Sequence, residues 1–359
     1  MPRRFGLPQP PPTFSDIQSA TAFGAACPQQ PFQLSLPSDT VTPSKRQSSL
    51  KESEDCLFIN VLRPTGIRAN AGLPILFWIF GGGFEIGDTS LNDGTTQSHS
   101  TSVAFGFLAS SEVKAAGLGN LGIRDPSDWH FAERFAMQWV QENAALFGGD
   151  PTKVTIYGQS AGAVSVGLHF VINNGNPAGL FRAAIMQSGA PLPLTDLDSG
   201  QQYYDQLVND TGCNTASDTL ACLTNIPYET LYNAVQQTPS VESFLSLNIL
   251  VYKRGKNTTC LGSAHGIDVN EFWGSPGSVY QGTDGLINFV NNLDPNTPSN
   301  GNNSNISSLI HWPKYGSNLL EPPLLTFLDE PENALNITGD TYRSIGIEYL
   351  TTLFPYYDL

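Results

Sequence analysis

The stretch KVTIYGQSAGAVSVGLHF, Lys153 to Phe170, constrains the fold more than any other part of the chain. An alternating apolar run leads into Gly158-Gln159-Ser160-Ala161-Gly162, and small and aliphatic residues follow. This order reads as strand, sharp turn and helix, with glycines at the two positions where side chains would collide in the turn. Gly-x-Ser-x-Gly alone is a weak signal in a chain with 34 glycines, so the flanking elements decide. A serine at the apex of such a turn sits at a helix N-terminus, whose free N–H groups and positive dipole end favour a nearby oxyanion. Ser160 is therefore a candidate nucleophile.

A second element points the same way. LPILFWIF is apolar throughout, as a strand buried on both faces of a parallel sheet must be, and it runs directly into Gly81-Gly82-Gly83. A glycine run at a strand end exposes backbone N–H groups without steric cover, which suits an anion-stabilising loop. The alternative is a bulge or a flexible loop. EDCLFINVLRP alternates like a strand, RFAMQWVQENAALF from Arg134 to Phe147 like an amphipathic helix stopped by Gly148-Gly149, and FRAAIMQSG reads as another strand. QQYYDQLVND and YETLYNAVQQ read as helices. Alternating strands and helices predict an α/β fold with a mostly parallel, doubly wound sheet. The first 50 residues, the polar span from Leu91 to Val103 and the Asn/Ser/Pro-rich span from Asn291 to Ser308 read as irregular, and the final segment as mixed.

Composition removes several function classes. With 359 residues and 40% hydrophobic content the chain can bury a substantial core. Its 32 acidic and 17 basic residues leave a net charge of -15, so nucleic acid is not an expected partner. No apolar run reaches the roughly 20 residues of a membrane span. The start, MPRRFGLPQPPP, has basic residues with no apolar stretch behind them, so no signal peptide is expected there.

SEDCLFINVLRP, LFWIFGGGFEIG, GFLASSEV, GNLGIRD, FGGDPTKVTIYGQSAGAVSV and AIMQSGA together resemble the type-B carboxylesterase/lipase family, which includes cholinesterases and secreted fungal lipases. The resemblance extends with interruptions to GLINFVNNLDPN and WPKY. It implies an α/β-hydrolase fold, one domain over residues 1–359, and hydrolysis of small-molecule or lipid carboxylic esters through an acyl-enzyme. By motif matching, Ser160 resembles the nucleophile, and the backbone N–H groups of Gly82, Gly83 and Ala161 resemble the oxyanion hole. Many relatives carry Glu before the serine, where this chain has Gln159.

In this fold the base follows the nucleophile in the chain, which leaves His169, His265 and His311. His169 lies along the nucleophile helix, about 13 Å from the serine at the usual rise, and is expected to be a packed or solvated helix residue. His311 reads as a surface histidine. His265, in LGSAHGIDVNEFWG, resembles the family's catalytic-histidine loop. The triad acid is unknown, because no Asp-Glu-Gly-Ser/Thr-like motif is present and only Glu229 and Glu242 lie between Cys222 and His265. SFLSLN runs straight into ILVYKRGKN, HSTSVAF replaces an apolar strand, and PSDWHFAE looks inserted. These departures imply a chain incomplete at the start and in the middle, missing some sheet strands and weak or impaired in activity. A non-catalytic, cholinesterase-like binding protein is the alternative.

Five sequons, at Asn209, Asn257, Asn302, Asn305 and Asn336, point to secretion and glycosylation. Cys27 with Cys56 and Cys213 with Cys222 would close two local loops as disulfides and leave Cys260 odd; reduced thiols in a cytosolic chain are the alternative. By resemblance the loop between Cys27 and Cys56 corresponds to a lid, with Phe32, Leu34, Leu36 and Val41 as an apolar underside. It carries no Trp to face a quaternary ammonium, which disfavours choline esters. GLGNLG, Gly117 to Gly122, follows a helix-like run instead of a strand and is rejected as a nucleotide loop. No motif predicts a metal or cofactor. Glu52, Glu54 and Asp55 read as a solvated or salt-bridged face.

Overall fold

The computed structural model describes residues 4–6, 8–30, 50–90, 96–98, 103–118, 132–192, 196–240, 265, 269–273, 281–297, 310–317, 320–328, 334–341 and 344–353. They fall into two compact units, Met1–Ile249 and Leu250–Leu359.

The first unit is built on a parallel sheet in the order β2-β1-β3-β4, with β1 at Leu73–Ile79, β2 at Thr96–Ser98, β3 at Gly149–Gln159 and β4 at Ala183–Gln187. Phe77 lies opposite Ile156 and Trp78 opposite Tyr157, and β4 continues the register with Tyr157 beside Ile185. Strand alternation sends Phe77, Ile79, Val154 and Ile156 to one face, where they bury against Met137 and Val140 of α3, Ala132–Asn143, and Val166 of α4, Ala161–Leu168. Trp78 and Tyr157 point the other way and pack edge to face at 4.6 Å. The expected stop after α3 is formed by Gly148, whose φ of 92° ends the terminal 3-10 turn, Ala144–Phe147.

A second core lies among short helices. α2, Ser111–Ala115, is capped by the Ser110 hydroxyl, which accepts from Val113 N; α1 precedes it at Val103–Gly106. Tyr204, Leu207 and Val208 form the buried stripe of α5, Gln201–Asp210. Leu220 and Leu223 come from α6, Thr219–Asn225, and Leu231, Ala234 and Val235 from α7, Tyr228–Val235. The i, i+3, i+4 spacing on α5 and α7 puts these side chains on one helix face, and all join a single cluster with Phe5, Leu108 and Val113. The Cys213–Cys222 disulfide pins the turn after α5 to α6, and Cys27–Cys56 closes the longer loop.

Two sequence expectations are corrected. EDCLFINVLRP does not form a strand: it makes a single bridge at Asn60, and Leu57, Phe58, Val61 and Leu62 are exposed. An alternating pattern becomes a strand only beside a partner, and among the described residues no ladder pairs with it. Conversely, the span from Leu91 to Val103 supplies β2, Thr96–Ser98, which pairs in parallel with β1. GLGNLG does follow a helix, α2, as far as it is described. Most of PSDWHFAE lies outside the described residues, but its last two residues, Ala132 and Glu133, open α3.

In the second unit β5, Pro323–Leu328, and β6, Ala334–Gly339, pair antiparallel, with the Thr326 and Thr338 hydroxyls 2.6 Å apart. Phe327 meets Phe272 of α8, Val269–Trp273, edge to face at 5.7 Å. α9, Gln281–Asn292, buries Leu286 and Val290, and α10 spans Ser344–Leu353. The Asn296 side chain reads the backbone of Trp312 in both directions, accepting from its N at 2.6 Å and donating to its O at 2.9 Å. Of the sequons, Asn209 on α5 and Asn336 on β6 are exposed; Asn257, Asn302 and Asn305 lie outside the described residues, as do Cys260 and the lid residues Phe32, Leu34, Leu36 and Val41. No helix among the described residues is long and apolar enough to cross a membrane.

Candidate active site

β1 and β3 are parallel neighbours, so the loops leaving their C-terminal ends emerge side by side. One carries Gly81-Gly82-Gly83 and the other carries Ser160. Ser160 has φ 57° and ψ -125°, a left-handed backbone that costs a non-glycine residue of order 1–3 kcal/mol. Neighbouring bonds hold it there: its N donates to Gln187 O at 2.9 Å, and its O accepts from Ala163 N at 2.8 Å and Val164 N at 3.0 Å. The two flanking glycines are sterically required. A Cβ on Gly158 would meet Gly162 O at 2.1 Å, and one on Gly162 would meet Ile79 O at 2.1 Å. The predicted strand, turn and helix are thus formed, with Ser160 half-buried at the apex.

The glycine loop packs directly on this turn. A Cβ on Gly81 would lie 2.7 Å from Gln159 O and 2.8 Å from Ser160 Cβ. Gly82, at φ 121°, turns the loop back so that its O accepts from Glu85 N and Ile86 N at 3.1 and 3.0 Å. Phe84 anchors the loop against Val164, Leu168 and Ile172, a contact that its position after the glycines gives no sign of. The structure therefore brings Ser160, Ala161 and the Gly81–Gly83 run into one place at the ends of β1 and β3.

The histidines are distributed differently. His169 caps the far end of α4 and is buried, with Nε2 3.0 Å from Glu133 Oε2 at the start of α3. Its role is to tie two helices together, the packed outcome of the two expected for it; Glu133 was not identified from the sequence. His265 stands in an exposed turn and His311 is exposed, both in the second unit. Glu229 is exposed on α7, and Glu242 lies outside the described residues. The acidic face is salt-bridged at one residue: Arg4 pairs with Glu54 and donates to Leu223 O at 3.3 Å. Glu52 turns inward, accepting from Gln29 N at 3.2 Å. Burial pushes its carboxyl above the ordinary range, against the opposing hydrogen bonds from the Gln29 backbone and Tyr232. Among the described residues no His/Cys/Asp/Glu group is arranged to hold a metal.

A strained serine between a parallel strand and a helix, with a glycine loop packed on it, is the nucleophile-elbow arrangement of the α/β-hydrolases. The chain matches the carboxylesterase family model over residues 2–258 and belongs to that family. It is 42% identical over 285 residues to Lipase 2 of Diutina rugosa, covering 71% of this chain and 50% of that protein. Against Secreted lipase 1 of Botryotinia fuckeliana it is 39% identical over 286 residues, covering 71% of this chain and 48% of that one. The chain spans about half the length of the curated relatives it matches. The crystal structure of Aspergillus niger EstA superposes with a TM-score of 0.74 at 22% identity, covering 98% of this chain and 91% of that one. The fold is that of an α/β-hydrolase.

Proposed function

We propose that this protein is a serine carboxylester hydrolase in which Ser160 attacks the ester carbonyl and forms an acyl-enzyme. The backbone N–H groups of Gly82, Gly83 and Ala161 receive the developing oxyanion. His265 takes the serine proton and passes it to the leaving alcohol, and a water activated by the same imidazole releases the acid. His265 is assigned from its place in the chain after the nucleophile and from its flanking sequence; the family match ends before it. The observation that carries the reading is the left-handed Ser160 against which Gly81 is packed.

The lipase names of the relatives support a fatty acyl ester as the substrate class. The two disulfides and the secreted relative support secretion, with Asn209 and Asn336 as exposed glycosylation positions. We take both units as parts of one α/β-hydrolase domain, as the sequence resemblance implies.

A fluorophosphonate probe, read by intact mass, tests the assignment without requiring turnover. A single adduct on the wild type and none on Ser160→Ala is the expected result; no adduct on a folded wild-type sample would remove the reading.

A further inference from the structure

The glycine loop has a second anchor, Gln29, 58 residues earlier in the chain than the Gly87 it holds. The Gln29 side chain is buried and spans the whole backbone of one residue: Oε1 accepts from Gly87 N at 3.0 Å, and Nε2 donates to Gly87 O at 3.3 Å. Gly87 closes the loop that Gly81 opens. At φ 113°, a Cβ there would lie 3.0 Å from Gly81 O and from the Phe80 ring. The contacts therefore run without a gap from Gln29 to Gly87, from Gly87 to Gly81, and from Gly81 to Ser160.

Gln29 is itself fixed from several directions. Its N donates to the Glu52 carboxylate, and its O accepts from Gln236 Nε2 at 3.0 Å. The next residue, Gln30, donates to Val235 O at 3.0 Å and Thr238 O at 3.2 Å at the end of α7. Two residues before it, Cys27 is bonded to Cys56. One end of the clamp is thus held by a helix and a disulfide, and the other grips the glycine loop.

We infer that Gln29 is a positioning residue: its side-chain amide holds the Gly81–Gly87 loop at the geometry in which the Gly82 and Gly83 N–H groups meet the oxyanion. The inference rests on the proposed role of that loop. A carboxamide offers a donor and an acceptor side by side without carrying charge at any ordinary pH, which is what pairing with both backbone groups of Gly87 requires. Oxyanion donors contribute because they are fixed before charge develops, and a displacement near 1 Å costs up to about 100-fold in rate. Gln29 touches neither substrate nor Ser160 in this scheme and acts only through the loop.

The experiment compares wild type, Gln29→Ala and Gln29→Met by steady-state hydrolysis of p-nitrophenyl butyrate and by hydrogen exchange of the peptides covering residues 81–90. Gln29→Met keeps the length of the side chain and loses both bonds to Gly87. Expected in both variants is a kcat roughly 10- to 100-fold lower with KM within about threefold. Exchange over 81–90 should accelerate in both, while peptides over 201–235 stay at wild-type rates. An unchanged kcat, or a loss confined to KM, overturns the inference even if exchange accelerates. If the wild type hydrolyses nothing, the esterase reading has failed separately; exchange then decides the clamp, acceleration in Gln29→Ala supporting it and unchanged exchange overturning it.

Discussion

A methyl group on Gly81 would sit 2.8 Å from the Cβ of Ser160, and 2.7 Å from the backbone O of Gln159. Neither neighbour is the free end of a flexible side chain, so the loop itself must move. Gly81→Ala is expected to slow fluorophosphonate labelling of Ser160 by roughly 100-fold, comparable to the loss of an oxyanion donor, while the thermal transition stays cooperative. Labelling at the wild-type rate would show that the two loops are not coupled.

Gly162→Ala places its Cβ 2.1 Å from Ile79 O and 2.7 Å from Phe80 O, inside the sheet's own backbone. Overpacking of this kind costs at least about 1–3 kcal/mol. A urea titration should show a midpoint shift of that size or outright loss of the folded state, whatever happens to activity.

His169→Leu leaves the buried Glu133 without its partner at 3.0 Å. An orphaned buried polar group costs about 1–3 kcal/mol, so a stability loss of that order is expected, with the Ser160 adduct still forming. Loss of labelling in a folded His169→Leu sample would make His169 more than a helix tie.

Glu52 carries a pH dependence whose sign is fixed. Burial raises its pKa from 4.5, so the folded protein binds this proton more tightly than the unfolded chain. Its contribution to stability is complete below about pH 4.5 and is lost as pH rises through the folded value. Glu52→Gln keeps an acceptor for Gln29 N and removes the titration. Melting curves should therefore find the variant more stable than wild type near neutral pH, with the gap closing on acidification. A gap that widens on acidification would contradict the assignment.

The two disulfides should differ in value because they close loops of different length. Cys27 and Cys56 are 29 residues apart, and Cys213 and Cys222 are 9 apart. On chain-entropy grounds, replacing the first pair by Ser should cost about 3–4 kcal/mol and the second about 2–3 kcal/mol. Denaturant titration of the two double variants checks the order.

What could be read from the sequence was local. Gly158 and Ser160 declare their turn because the clash of Gly158 with Gly162 O and the left-handed backbone of Ser160 lie within five neighbouring residues, and Gly148 declares the end of α3 by its own positive φ; the clash that makes Gly162 necessary is with Ile79 and Phe80, far away in the chain. Cys27 with Cys56 and Cys213 with Cys222 were legible as pairs because each closes a nearby loop. EDCLFINVLRP misled because alternation records which side chains prefer burial and is silent on whether a partner strand stands beside them. β2 went unseen because a strand of three residues, Thr96–Ser98, is too short for a period to register. Gln29 was out of reach altogether: a carboxamide carries no mark of the backbone it will pair with 58 residues later. Glu133 is similar, since only the packing of α3 against α4 explains a buried carboxylate there.

The backbone at Ser160 carries one more consequence. Glycine alone would occupy φ 57° without penalty, so a search for sturdier versions of this protein, scored by heat resistance and nothing else, should discard the serine among its earliest changes. Durability and chemistry compete for the same atom, and the persistence of a hydroxyl at that bend is what selection for reaction, against relaxation, would leave behind.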